Sequence, residues 1–229
     1  MTKRQITTAE KALVIFSGGQ DSTTCLYWAL DRFGKGQVET VTFDYGQRHG
    51  REIDAAKKIA LHAAVSNTVL PIDTFSALGG DALTDSKLDL PGPDGESGEL
   101  PLTFVPGRNL VFFTFAAAFA WPRNIHHLVG GMAQTDYSGY PDCRRETLDA
   151  LERALQLGLE RDFTIHTPLM ARSKKDTVLL ARDLNILAVL GMTHTCYKGE
   201  TPPCGTCAAC VLRAKGFAEA GIPDPLIAQ

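Results

Sequence analysis

The 229-residue chain is 44% hydrophobic, enough for one substantial core with a small appendage but short for two enzymatic domains. Its net charge of −3 gives no broad basic field, which argues against a nucleic-acid or anionic-lipid binder and favours a small-molecule substrate. Residues 1–11 lack an apolar signal core and no apolar run is long enough to span a bilayer, so a cytoplasmic protein without a membrane partner is expected.

Residues 12–16 read as a first strand, and the amphipathic stretch carrying Leu26, Leu30 and Phe33 as the first helix. Glycines 34 and 36 then lead into a second strand, 38–43, which ends on the polar loop Asp44-Tyr45-Gly46-Gln47-Arg48-His49. Residues 51–64 place Ile53, Ala56, Ala60 and Ala63 at helical spacing, and 67–72 form a third strand. The stretch 78–100 is rich in glycine and proline and too poor in apolar residues for a core of its own, so a mobile flap is expected there. Residues 110–121 are almost wholly apolar and predict a helix buried on most sides. A strand at 125–131 delivers a third polar loop, Asp136-Tyr137-Ser138-Gly139-Tyr140-Pro141-Asp142-Cys143-Arg144. Leu148, Leu151, Leu155 and Leu159 mark an amphipathic helix, followed by a short strand at 163–167 and helices at 174–187 and 211–220. The alternation predicts an α/β fold over residues 1–190, a mainly parallel sheet with helices on both faces. A small zinc-binding segment, 191–229, is expected to join the same compact unit.

The first strand and helix are separated by Ser17-Gly18-Gly19-Gln20-Asp21-Ser22. Two glycines allow a tight turn and a close backbone approach, and the free amides and positive dipole end of the following helix favour an anion. The hydroxyls of Ser17, Ser22 and Thr23 add donors, while the longer glycine spacing and lysine of a Walker loop are missing. In a parallel sheet this loop and the one after the second strand emerge at the same edge, where they can meet over one nucleotide. Near the end, Cys196, Cys204, Cys207 and Cys210 crowd together, and in a reducing cytosol four thiolates suit a closed tetrahedral Zn2+ site better than disulfides. Cys25 is expected to be a small buried apolar residue. Cys143 lies beside Arg144 and Arg145, which favour a thiolate, but a structural role is the simpler expectation. His49 is equally readable as a general base or as a hydrogen-bonded loop histidine.

The loop resembles the SGGxDS loop of the ATP pyrophosphatases, the PP-loop superfamily, whose members grip pyrophosphate while ATP adenylates a carboxylate or carbonyl oxygen. Across nearly the whole chain FSGGQDSTTCL, FDYGQRH, FVPGRN, DYSGYPDCR and the terminal CxxCxxC stand in the order found in the 7-cyano-7-deazaguanine synthase family. That resemblance implies conversion of 7-carboxy-7-deazaguanine and ammonia, with ATP, into the 7-cyano base (preQ0) of queuosine biosynthesis, through an amide that is dehydrated to the nitrile. It implies an ATP site with Mg2+ at Phe16, Ser17, Gly18, Gly19, Gln20, Asp21, Ser22, Thr23, Thr24, Cys25 and Leu26. Ser17, Asp21 and Arg108 are assigned to catalysis, Asp21 orienting phosphate or magnesium and Arg108 neutralising a phosphate or carboxylate. Tyr45, Gln47, Arg48, Asn109, Asp136, Tyr137, Tyr140, Asp142 and Arg144 are assigned to the substrate, the aspartates reading N–H donors of the base and the tyrosines stacking on it. A homodimer is compatible with this reading. The alternative is another amidating or thiolating ATP pyrophosphatase acting on a nucleobase or tRNA.

Overall fold

The strand β1 (Ala12–Ile15) is apolar at every position, so both of its faces need cover. In the computed structural model, which describes residues 10–47, 50–79, 81–84, 100, 102–133 and 140–227, it lies at the centre of a five-stranded sheet. The other strands are β2 (Val38–Asp44), β3 (Ser66–Pro71), β4 (His127–Val129) and β5 (Thr164–His166). Their order is β3-β2-β1-β4-β5 and every pairing is parallel. The chain fills one side of the sheet, returns to the centre and fills the other. Such an order has a switch point between β1 and β4, and a crevice opens there at the carboxyl ends of the strands. The expected parallel α/β fold is therefore the one observed.

Alternate side chains of β1 point to opposite faces. Ala12 and Val14 pack with α1 (Gln20–Phe33), α2 (Arg51–His62), α6 (Lys174–Asp183), α7 (Leu187–Leu190) and α8 (Ala208–Ala220). Leu13 packs with α3 (Thr74–Leu78), α4 (Arg108–Ala120) and α5 (Arg145–Gly158). Two expectations need correction. Helix α4 buries Phe112, Phe113, Ala116, Ala117 and Ala120 but turns Thr114, Phe115 and Ala118 outward, with Phe115 45% exposed. Its outer face is itself largely apolar, so no polar stripe betrays it in the sequence. The helix expected over 174–187 stops at Asp183, because Asn185 adopts the left-handed region at φ 58°, and α7 begins afresh at Leu187. The expected flap falls mostly on residues 85–99, outside the described residues.

Away from the crevice, β4 and β5 bring two histidines together. His127 Nδ1 and His166 Nε2 share a 3.0 Å hydrogen bond, His127 Nε2 meets Glu10 Oε2 at 3.1 Å, and the rings pack against Trp28 and Phe33. Burial, then the neighbouring His127, Arg32 and Arg145, pull the pKa of His166 from 6.5 down to about 4. The folded protein thus refuses a proton that the unfolded chain accepts. The stability this contributes is complete above pH 6.5 and is lost as the pH falls through about 4. Melting curves of wild type and His166→Gln across this range should diverge, the wild type losing up to about 3 kcal/mol more; parallel curves would show that the ring does not titrate as stated.

Candidate active site

At the crevice the chain leaves β1, turns through Ser17, Gly18 and Gly19, and enters α1. Gly18 sits at φ +82°, and a Cβ there would lie 2.5 Å from both the Ala56 nitrogen and the Glu52 carbonyl oxygen, so the turn is pressed against the backbone of α2. The Ser17 and Ser22 hydroxyls are 3.1 Å apart, Ser17 N–H donates to Ser22 Oγ at 3.2 Å, and Gly19 N–H donates to Ser17 Oγ at 3.3 Å. Helix α1 begins after Gly19, its N-cap, with no side-chain cap, and Gly19, Gln20, Asp21 and Ser22 line the cavity. Uncapped first-turn amides at the positive end of a helix form an anion site. Lys174 Nζ donates to Asp21 Oδ2 at 2.6 Å, while Asp21 Oδ1 is buried without a hydrogen-bond partner. Helix α8 allows this approach because Gly216 lies where a Cβ would come within 2.8 Å of Lys174 Cβ.

The loop bounds a cavity of about 330 Å³ whose other walls come from several distant segments, α6 and α8 among them. Tyr45 and Gln47 follow β2, Glu52 comes from α2, Arg108, Asn109 and Phe112 from α4, Tyr140 and Cys143 from the turn before α5, and His194, Thr195 and Tyr197 from the chain after α7. Arg108 Nη1 donates to the Tyr45 hydroxyl at 3.3 Å, with its guanidinium 5.6 Å from the Tyr45 ring centre. Gln47 holds its own loop, accepting from Tyr45 N–H at 2.9 Å. Burial works against the charge of Arg108, but its hydrogen bond to Tyr45 and the nearby Asp142 favour the charge, and the guanidinium stays protonated. Burial pushes the Glu52 carboxyl up to about 7, with Arg108 offsetting only part of the rise. Burial likewise raises the phenols of Tyr45, Tyr140 and Tyr197, which stay neutral.

Of the residues singled out from sequence, Phe16, Ser17, Gly19, Gln20, Asp21, Ser22, Tyr45, Gln47, Arg108, Asn109 and Tyr140 line the cavity. Gly18 supports the turn from behind. Thr23, Thr24, Cys25 and Leu26 are buried within α1, with Cys25 Sγ 3.7 Å from the Gly130 oxygen, because the helix has turned into the core by that point. Asp142 is buried and accepts the Asn109 N–H at 3.0 Å, so one oxygen serves the start of α4; Arg144 is exposed at the head of α5. Arg48, Asp136, Tyr137 and His49 lie outside the described residues. Sequence reasoning missed Glu52, Lys174, His194 and Tyr197. Lys174 and Lys175 did carry a signal, since two cations in the first turn of a helix oppose its dipole.

Beside the cavity the sulfurs of Cys196, Cys204, Cys207 and Cys210 all lie within 4.8 Å of one another, Cys204 and Cys210 at 3.9 Å. A tetrahedral tetrathiolate zinc site has sulfur–sulfur edges of about 3.8 Å, which this cluster approaches. Against the effect of burial, Thr206 and the amide of Cys207 pull the Cys204 thiol down to about 6. Burial pushes Cys207 and Cys210 up. Four thiols this close cannot all ionise unaided, and a dication resolves the conflict. Cys143 stands apart, its Sγ accepting from Asn109 Nδ2 at 3.3 Å.

Fold and site together define a parallel α/β protein whose glycine loop opens on a cavity beside a cluster of four cysteines able to hold a metal. The model of the queuosine biosynthesis protein QueC family matches residues 11–221, and the chain belongs to that family. It is 65% identical over 218 residues to the 7-cyano-7-deazaguanine synthase of Chromobacterium violaceum, covering 95% of this chain and 93% of that protein. It is also 65% identical to the synthase of the same name from Laribacter hongkongensis, with 95% and 94% covered. Among solved structures, the U34-tRNA thiolase NcsA from Methanococcus maripaludis with its 4Fe-4S cluster has a TM-score of 0.49 and 17% identity, covering 81% of this chain and 59% of that one.

The cluster geometry makes a separable prediction for the thiols. Cys204→Ser or Cys207→Ser should lower bound metal, measured by elemental analysis, and melting temperature together, by roughly 10 °C or more given that 1 kcal/mol moves a chain of this length about 2–4 °C. Cys143→Ser should keep its metal. One metal per chain with unchanged melting in Cys207→Ser would contradict the tetrathiolate assignment.

Proposed function

We propose that this chain makes 7-cyano-7-deazaguanine from 7-carboxy-7-deazaguanine and ammonia, with ATP activating the carboxyl and then the amide oxygen. The observation that carries the reading is near-full-length identity of 65% to two synthases of that name. The cavity supports it with the amides of the glycine loop and a half-buried cation, Arg108, beside Tyr45 in the same wall. That pairing suits a triphosphate and a carboxylate-bearing ring held in one site. It favours this reaction over another amidating or thiolating chemistry.

In this reading the amides of residues 19–22 and the hydroxyls of Ser17 and Ser22 bind phosphate oxygens, and Lys174 adds positive charge where pyrophosphate leaves. Arg108 receives the substrate carboxylate through its forked donors, while Tyr45, Asn109 and Tyr140 border the base. A Mg2+ ion accompanying the phosphates fits beside Asp21, whose Oδ1 is a buried oxygen without a partner, and there it supplies charge neutralisation. The four cysteines suit Zn2+ in a closed, structural sphere. The proposed setting is cytoplasmic and the partners small molecules. Among the described residues no helix is long and apolar enough to cross a membrane.

Mass analysis of the products from ATP, ammonium and the 7-carboxy base should show the nitrile, and finding only unreacted acid would refute the assignment. Ser17→Ala should lower turnover about 100-fold, as loss of one such donor does, while melting shifts by less than about 2 °C because Ser17 is exposed. Near-normal turnover in that variant would remove Ser17 from the site.

A further inference from the structure

The function proposed above, on which this inference rests, sets a proton problem. Ammonia enters with three N–H bonds and the nitrile nitrogen keeps none. The site must therefore take a proton from nitrogen at each stage, and it needs a base whose affinity for protons lies near the working pH.

Two carboxylates line the cavity among the described residues, Asp21 and Glu52. Asp21 is held by Lys174 at 2.6 Å and serves the phosphate end. The Glu52 carboxylate has no hydrogen bond or ion pair to a described residue, so its lone pairs are open to a ligand. The backbone of Glu52 is fixed, since its carbonyl occupies the space that a side chain on Gly18 would need. The same contact that shapes the glycine loop thus roots a carboxylate-bearing residue beside it, and that residue lines the same cavity. The charged and titratable groups facing Glu52 are Arg108 from α4, Tyr45 from the end of β2 and Tyr197 from the segment after Cys196. Lys174, Asp21 and His194 border the same cavity, and Arg51 and Asp54 are its neighbours on α2.

We propose that Glu52 is the proton acceptor of this site, taking N–H protons from ammonia and then from the amide nitrogen. As ammonia attacks the activated carboxyl, its lone pair forms the C–N bond. The C–O bond to the adenylate breaks with its electron pair, and one proton passes to Glu52. When the amide oxygen is activated in turn by ATP, nitrogen gives up a second proton and becomes C=N–H. That oxygen then leaves with the C–O electron pair, the remaining N–H pair closes the triple bond, and the third proton goes to the same carboxylate. Glu52 releases each proton to water before the next. Its elevated pKa, about 7, suits a group that must both accept and release protons near neutrality.

The test uses the full-length metal-bound protein with ATP, ammonium and the 7-carboxy base, and in parallel the 7-carboxamide with ATP. If wild type makes no nitrile, the functional reading fails and Glu52 with it. If it does, Glu52→Gln should lower kcat at least ~100-fold on both substrates, with KM for the base within ~3-fold, unchanged metal content, and loss of the rising limb near pH 7 in kcat/KM. A raised KM with normal kcat would assign Glu52 to reading N–H donors of the base, and a kcat within ~3-fold of wild type would exclude proton transfer; either overturns the proposal. Should Glu52→Gln not fold, infrared titration of wild type against Glu52→Asp decides. A carboxyl titrating near pH 7 in wild type alone supports the proposal, and its absence overturns it.

Discussion

The approach of Gly18 to the first turns of α2 is the contact on which the rest of the site depends. Any side chain at this position would meet two backbone atoms at 2.5 Å, and backbone, unlike the tip of a flexible side chain, cannot swing aside. The positive φ adds a second reason for glycine. Because the turn lies flat on α2, the loop and Glu52 border one cavity together. The parallel order of the sheet supplies the crevice, and Gly18 decides which residues border it.

The chain after α7 closes the same site from the opposite side. The His194 N–H donates to the Gly18 oxygen at 3.1 Å, so the cysteine segment holds the loop through a backbone bond. Two anchors keep that segment in place. Arg213 makes a buried fork with Asp224 at 2.7 and 2.8 Å and spends its other donors on Thr193, Thr195 and the Leu190 oxygen. Breaking such a satisfied buried pair costs about 3–5 kcal/mol, whereas a structural zinc site contributes on the order of 10. With Thr195, Tyr197, Ala209 and Arg213 in the cavity wall, whatever holds the four cysteines together also shapes that wall.

Strand and helix positions were legible in the sequence because apolar periodicity and glycine turns are local signals, and the loop and the four cysteines carry their chemistry in their spacing. Less legible was anything set by contact between distant segments. Glu52 and Lys174 sit on helices that read as ordinary amphipathic or charged stretches, and only the packing of α2 on Gly18 and of α8 on α6 turns them toward the cavity. Residues 23–26 illustrate the converse: they adjoin the phosphate loop in sequence, but one helical turn carries them into the core. Asp142 reads as a polar loop residue, yet long-range folding commits one of its oxygens to the start of α4.

The charges in the cavity also explain how one carboxyl can serve at the right moment. Asp21 and Lys174 cancel locally, which leaves Arg108 as a half-buried cation facing a carboxyl that burial pushes up to about 7. An incoming substrate carboxylate is drawn to Arg108, and its negative charge beside Glu52 raises the pKa of that group further, so Glu52 binds a proton and does not repel the substrate. Once adenylation has turned the substrate carboxylate into a mixed anhydride, the charge on its carboxyl oxygens is gone and the remaining negative charge lies on the phosphate. Arg108 again favours the ionised form of Glu52, and the proton acceptor appears at the stage when ammonia attacks.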